Sequence, residues 1–215
     1  MLHVVVAHPA EARPLVARYN LRGEPGHGAF TVYRGDGLAV AVGGTGKTAA
    51  AAAAAYLFAS GGGMRDAAWV NVGMAGHAEM EIGRGLLAHK VTDEGSGACW
   101  FPPLVVETTC PSASVLTVER LEEDYEGERL YDTEAAGFFA AASRFATCEL
   151  VHAFKIVLDN HGATLGDRFA PEVMEDLVES KLALLDGLFE ELRRAGELVR
   201  RRHEEGRGIV VEGER

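Results

Sequence analysis

Runs of consecutive apolar residues recur along the 215-residue chain, each too short for a helix and too uniformly apolar to have a wet face. Residues 2–7 (LHVVVA), 67–73 (AAWVNVG) and 153–160 (AFKIVLDN) are of this kind. Strands buried on both faces belong to sheets that carry helices on each side. The intervening stretches agree. Helices are expected from about Glu11 to Tyr19, after GGTGKT, over 133–146 with Asp132 as N-cap, and from Pro171 to about Arg202. FTVYRG (30–35) and LAVAVGG (38–44) read as a hairpin around Gly35-Asp36-Gly37, and GLLAHKVTD (85–93), SVLTV (114–118) and LYDT (130–133) as further strands. The alternation predicts an α/β, three-layer αβα domain with a central mixed, largely parallel sheet. One such domain is expected over residues 1–205, followed by a polar tail at 206–215.

One stretch points elsewhere. Gly46-Lys47-Thr48 ends like a phosphate-binding loop, but the position five before Gly46 is Ala41 where that loop needs glycine. The glycines Gly43, Gly44 and Gly46 instead suit a short strand-to-helix turn. Alanines 49–55 then form a strong helix that can lie close to a sheet.

The formal net charge of −11 disfavours nucleic acid and anionic membranes as partners. Three cysteines without C-x-x-C spacing fit a reduced chain with no disulfide framework. The first residues lack a basic region and a cleavage site, and no apolar run nears the ~20 residues of a membrane helix. A soluble, cytoplasmic protein is expected. The histidines lack metal-ligand spacing, so neither a metal nor a cofactor is expected.

In open α/β sheets ligands bind beyond the carboxyl ends of the strands. Five segments fall there: 7–14, 43–48, 71–77, 131–137 and 158–162. Three carry an acid, namely Glu11, Glu134 and Asp159, and glycines flank the other two. Carboxylates and glycine backbone without a basic cluster suit a neutral or cationic polar ligand such as a sugar. Each acid also has a plainer reading. Glu134 could complement a helix dipole and Asp159 could cap the turn before Gly162.

These pieces together resemble the nucleoside phosphorylase and nucleosidase superfamily (purine and uridine phosphorylase family 1). The nearest pattern is that of the methylthioadenosine/S-adenosylhomocysteine nucleosidases. VVVAHPAEARPL is similar to the family's opening strand and acidic turn, and VGGTGKTAAAAAAAYL to its S-G-I-G-K-x-x-A-A turn and helix. VNVGMAGH is similar to N-x-G-x-A-G, TEAAGFFAAA to the M-E-A-A helix start, and KIVLDN to the R-x-I-S-D strand end. The matches run in family order over about residues 3–190.

The resemblance implies cleavage of a nucleoside N-glycosidic bond. Asp159 would donate a proton toward N7 of a purine, which requires the pocket to raise a carboxyl that is otherwise ionised at neutral pH. Glu134, with Thr133 beside it in place of the family's methionine, would hold the ribose and oppose positive charge on it. Glu11 would activate water from the opposite face. Met74, Ala75 and Gly76 would line the nucleoside, and the turn Gly44-Thr45-Gly46 would face water or phosphate. The family's phosphorolytic members bind phosphate with arginines where this chain has Glu11 and Asn71, so hydrolysis is favoured over phosphorolysis. Arg13 and Arg34 are the arginines nearest in sequence. The family's S-G-D-x-F base-recognition motif is missing, which keeps open a nucleoside-binding protein without turnover. Trp100 and Phe101, in GSGACWFPPL, could stack on a base, cover the pocket or pack a dimer interface. A small-molecule nucleoside partner and a homo-oligomer, dimeric or hexameric, follow from the resemblance.

Overall fold

The computed structural model describes residues 1–24, 28–104, 109–120, 125–163 and 166–211. Its strands are β1 (Leu2–Val6), β2 (Arg22–Gly23), β3 (Thr31–Gly35), β4 (Leu38–Val42), β5 (Ala68–Gly76), β6 (Gly85–Asp93), β7 (Cys99–Trp100), β8 (Ser112–Thr117), β9 (Leu130–Asp132) and β10 (Val151–Asp159). The helices are α1 (Pro9–Arg18), α2 (Lys47–Ser60), α3 (Ala135–Ala142), α4 (Pro171–Glu179) and α5 (Leu182–Val211).

β1 shows why the early strands are so apolar. Val5 points into one core, with Ala53, Ala54 and Leu57 of α2, while Val4 and Val6 point into another with Leu15 of α1 and Leu188 of α5. Successive side chains leave a strand on opposite faces, so a strand covered on both sides must be apolar at every position. β4, β1, β5 and β10 run parallel in that order, and beyond β4 come β3, its hairpin partner, and the short edge strand β2. This is the mixed, helix-sandwiched sheet that the alternation predicts.

The sheet also closes on itself, which the strand pattern does not reveal. β10 pairs with β6 as well as β5, β6 continues to β8 and β9, and β9 returns to β5 through Tyr131 and Gly76. The carboxyl ends of β5 and β10 are thereby held against β9 and the start of α3. Helices α2 and α3 approach backbone to backbone, since a Cβ on Gly137 would lie 2.0 Å from the Lys47 carbonyl oxygen. Alanine and glycine at that crossing are what permit so short a separation.

The expected helix from Pro171 is divided. Ser180 donates its hydroxyl to the Leu177 carbonyl at 2.7 Å, and the Lys181 N–H bonds to Val178, three residues back. Such side-chain back-bonding competes with the helical ladder and ends α4. α5 restarts at Leu182 and continues to Val211, beyond the expected end at Arg202. Its Leu185, Leu188, Phe189 and Leu192 are buried at helical spacing, each contributing about 1.5–3 kcal/mol by removal from water.

Candidate active site

The turn after β1 begins the site. His8 is the N-cap of α1, and Glu11 in the first turn folds its carboxylate back onto the strand end. One carboxylate oxygen accepts the N–H groups of Ala7 at 2.9 Å and His8 at 2.8 Å, and the other accepts Met74 N–H at 3.2 Å. Glu11 is 3 % exposed. Burial raises its pKa from 4.5 to about 7 against the lowering by the His8 and Ala7 N–H groups and Lys155, with Glu134 adding to the rise. A carboxylate poised near neutral pH is suited to accept a proton from water.

Glu134 is delivered by the start of α3. The N-cap expected at Asp132 falls at Glu134, whose side chain makes no cap bond, while the Asp132 carboxylate two residues earlier accepts the N–H of Ala135 at 2.7 Å and of Glu134 at 3.3 Å. The Glu134 carboxylate therefore turns elsewhere. One of its oxygens accepts Gly46 N–H at 2.8 Å and the Thr133 hydroxyl. Gly44 and Gly46 adopt φ of 91° and 99°, a region that favours glycine, and so turn the Gly46 N–H toward the carboxylate. The neighbouring Lys47 faces away. Its ammonium pairs with Asp93 at 2.6 Å and with Glu119, which leaves the phosphate-loop likeness a matter of letters.

Asp159 ends β10 and is 3 % exposed. Its backbone carbonyl accepts His77 N–H, tying it to the turn after β5, and its side chain accepts the Tyr125 hydroxyl.

Glu11, Thr45, Met74, Ala75, Gly76, Thr133, Glu134 and Asp159 all line one cavity of about 80 Å³. Gly44 and Gly46 shape its turn without lining it. Trp100 and Phe101 stand apart from it. β7 pairs with β6 and sets Trp100 beside Phe139 at 6.3 Å, while Phe101 is 67 % exposed under the Lys90 ammonium.

Two features escape a reading by motif. Lys155, in the middle of β10, has a fully buried side chain and pairs with the equally buried Asp132 at 2.7 Å. Burial alone would lower its pKa, but Asp132, Glu134 and Glu11 outweigh this and raise it. Gly73 lets the groups close up, because a Cβ there would sit 3.3 Å from Glu11 Oε1 and 3.5 Å from Lys155 Nζ. The signal was present in AFKIVLDN, where one cation interrupts a strand that is otherwise apolar up to its end. The second feature is Tyr125, an aromatic in an acidic segment whose preceding four residues lie outside the described ones. No sequence signal marked it as a partner of Asp159.

The described residues contain no group of three or more His, Cys, Asp or Glu placed to hold a metal ion. Among them no helix is long and apolar enough to cross a membrane.

A mixed sheet closed on one side, with helices on both faces and carboxylates gathered at strand ends, is the nucleoside phosphorylase-like α/β fold. Solved structures with this fold include two nucleosidases and a futalosine hydrolase. The 5′-methylthioadenosine nucleosidase of Arabidopsis thaliana superposes with a TM-score of 0.69 at 17% identity, covering 90% of this chain and 95% of that one. The 5′-methylthioadenosine/S-adenosylhomocysteine nucleosidase of S. pneumoniae with a transition-state inhibitor gives 0.68 at 17% identity, covering 89% and 99%. The futalosine hydrolase of Helicobacter pylori gives 0.67 at 13% identity, covering 88% and 97%. No protein-family model matches the chain, and no curated protein matches it by sequence.

Proposed function

We propose that the protein is a nucleosidase that hydrolyses the N-glycosidic bond of a purine nucleoside or thionucleoside. The observation that carries this reading is the convergence of Glu11, Glu134 and Asp159 on one cavity, with no arginine or lysine among the described residues lining it. The solved structures that share the fold at low identity are named for the same class of reaction.

In this reading Glu11 takes a proton from water as the oxygen bonds to C1′ of the ribose. The C1′–N9 bond breaks, its electron pair leaves with the base, and Asp159 supplies a proton to N7. Glu134 accepts the ribose hydroxyls and opposes the positive charge that develops on the sugar ring, the kind of preorganised stabilisation that acts most strongly away from water. Lys155 beneath the site offsets the buried carboxylates and keeps part of Glu11 ionised near neutral pH.

Water is favoured over phosphate because the two candidate arginines are committed elsewhere. Arg13 pairs with Glu175 on the surface at 3.0 Å, and Arg34 pairs with Glu24 and Ser60. A phosphate dianion in the cavity would meet carboxylates instead. The hydroxyl already seated on Asp159 favours a second reading, a nucleoside-binding protein without turnover.

Incubation with purine nucleosides, 5′-methylthioadenosine and S-adenosylhomocysteine, with and without phosphate, separates these readings. Free base and the free sugar, ribose or its 5-thio-substituted form, are expected without phosphate. Ribose-1-phosphate formed only with phosphate would replace hydrolysis by phosphorolysis. Tight binding without base release would leave the binding protein.

A further inference from the structure

Tyr125 lines the cavity beside Asp159, the group that in the nucleosidase reading meets the leaving base. Its ring rests on the Gly76 backbone so closely that a Cβ on Gly76 would fall 2.1 Å from the hydroxyl oxygen and 2.2 Å from Cζ. Its hydroxyl donates to Asp159. Its ring is near-parallel to His161, with centroids 5.9 Å apart, and lies 5.1 Å from Tyr131. The side chain is 6 % exposed, so these surroundings enclose it.

Tyr125 is also a wall between two spaces. On one side is the cavity of about 80 Å³ that holds the three acids, room for a few waters and far below the roughly 300 Å³ at which ligand pockets begin. On the other is a polar groove of about 430 Å³, lined by His77, Arg84, Glu128 and His161 among others. Both are bounded by Tyr125, and neither alone offers a nucleoside the acids together with room for its base.

We infer, resting on the nucleosidase reading, that Tyr125 is an internal stand-in for the leaving base and sets leaving-group specificity. A flat ring with a polar hydrogen at its edge already occupies Gly76, His161 and Asp159, so the site selects a planar heteroaromatic leaving group with an N–H or a protonatable nitrogen facing Asp159. Entry of that group turns the Tyr125 side chain away, joins the cavity to the groove and transfers Asp159 from the phenol to the base. Apparent affinity is reduced by the fraction of molecules in which the tyrosine stays in place.

The test is binding, kept separate from turnover. Formycin A, a carbon-linked adenosine analogue that cannot be cleaved, and free adenine are titrated calorimetrically into the wild type, Tyr125→Phe and Tyr125→Ala. Tyr125→Ala should bind both compounds at least about tenfold more tightly than wild type. Tyr125→Phe, which keeps the ring and loses the hydroxyl, should fall between. Equal or weaker binding by Tyr125→Ala overturns the inference, because the ring would then support a base and not take its place. Should Tyr125→Ala fail to fold, Tyr125→Phe decides, with tighter binding expected and equal or weaker binding overturning. If adenine binding rises in the variants while formycin A binds none of the proteins, the stand-in survives and the nucleosidase reading falls. If neither compound binds any form, both fall.

Discussion

The two ends of the cavity are held by different means. At the Glu11 end the carboxylate takes three backbone N–H groups, those of Ala7 and His8 in the turn after β1 and that of Met74 in β5, over a buried Lys155–Asp132 pair. Those contacts are to main chain on both sides of the carboxylate, in the turn and in the adjoining strand, and leave the side chain little choice of direction. At the Asp159 end the carboxylate is held by a phenol from a connecting segment, a contact that a ligand with its own hydrogen-bond donor can replace. In the proposed reaction the contrast gives fixed geometry to the group that would activate water and exchangeable geometry to the group that would meet the leaving base.

Substitutions that treat the two ends alike should break this comparison. The largest effects are expected from Asp159→Asn and Glu11→Gln, each lowering kcat by roughly 10²–10⁴-fold, the usual contribution of a positioned acid or base. Asp159→Asn should leave the fold intact, whereas Glu11→Gln should also lower the urea midpoint because an amide cannot accept as a carboxylate does. Equal stability loss in both variants would show that the ends are not built differently.

Lys155→Met comes next. Removing the cation strands buried Asp132, which should cost about 3–5 kcal/mol in urea unfolding. It should also move the acid limb of kcat/KM to higher pH, since Lys155 lowers the pKa of Glu11. Loss of stability with an unmoved limb would separate Lys155 from catalysis.

A smaller effect is expected from pH itself. With Glu11 raised to about 7, kcat/KM should climb with pH through about 7 and not through 4.5. The sign for stability is opposite. The folded chain keeps this proton more tightly than the unfolded chain, so Glu11's share of stability is full below about 4.5 and is lost as pH rises through about 7. Denaturation curves of wild type and Glu11→Gln between pH 4 and 8 isolate that share.

The smallest effect is expected from Arg13→Ala. Its exposed pair with Glu175 contributes at most about 1 kcal/mol, and phosphate should have no more influence on the variant than on wild type.

The three acids were legible because each stands where an apolar run ends or a helix begins, and a charged side chain at such a boundary reaches a strand-end crevice. Glu134 shows the limit of that reading. Its place in a first helical turn fits a helix-dipole complement equally well, and only the fold shows its carboxylate turned to the Gly46 N–H of another turn. Trp100 and Phe101 stand in a Gly/Pro-rich loop that fits a base, a pocket cover or an interface equally well, and the pairing of β7 with β6 sets Trp100, with Phe101 next to it, apart from the cavity.

Local patterning determined the strand–helix alternation, the double burial of β1, β5 and β10, the close packing of the alanine helix and the strand-end address of Glu11, Glu134 and Asp159. These follow from periods of two and 3.6 residues and from turn chemistry, which neighbours in sequence control. Only the tertiary structure decided that β9 closes the sheet onto β5, that Lys155 pairs with Asp132 beneath the acids, and that Tyr125 covers Asp159. Those contacts join residues 23 to 55 positions apart. They depend on how separate elements come to rest against one another, which no local period records.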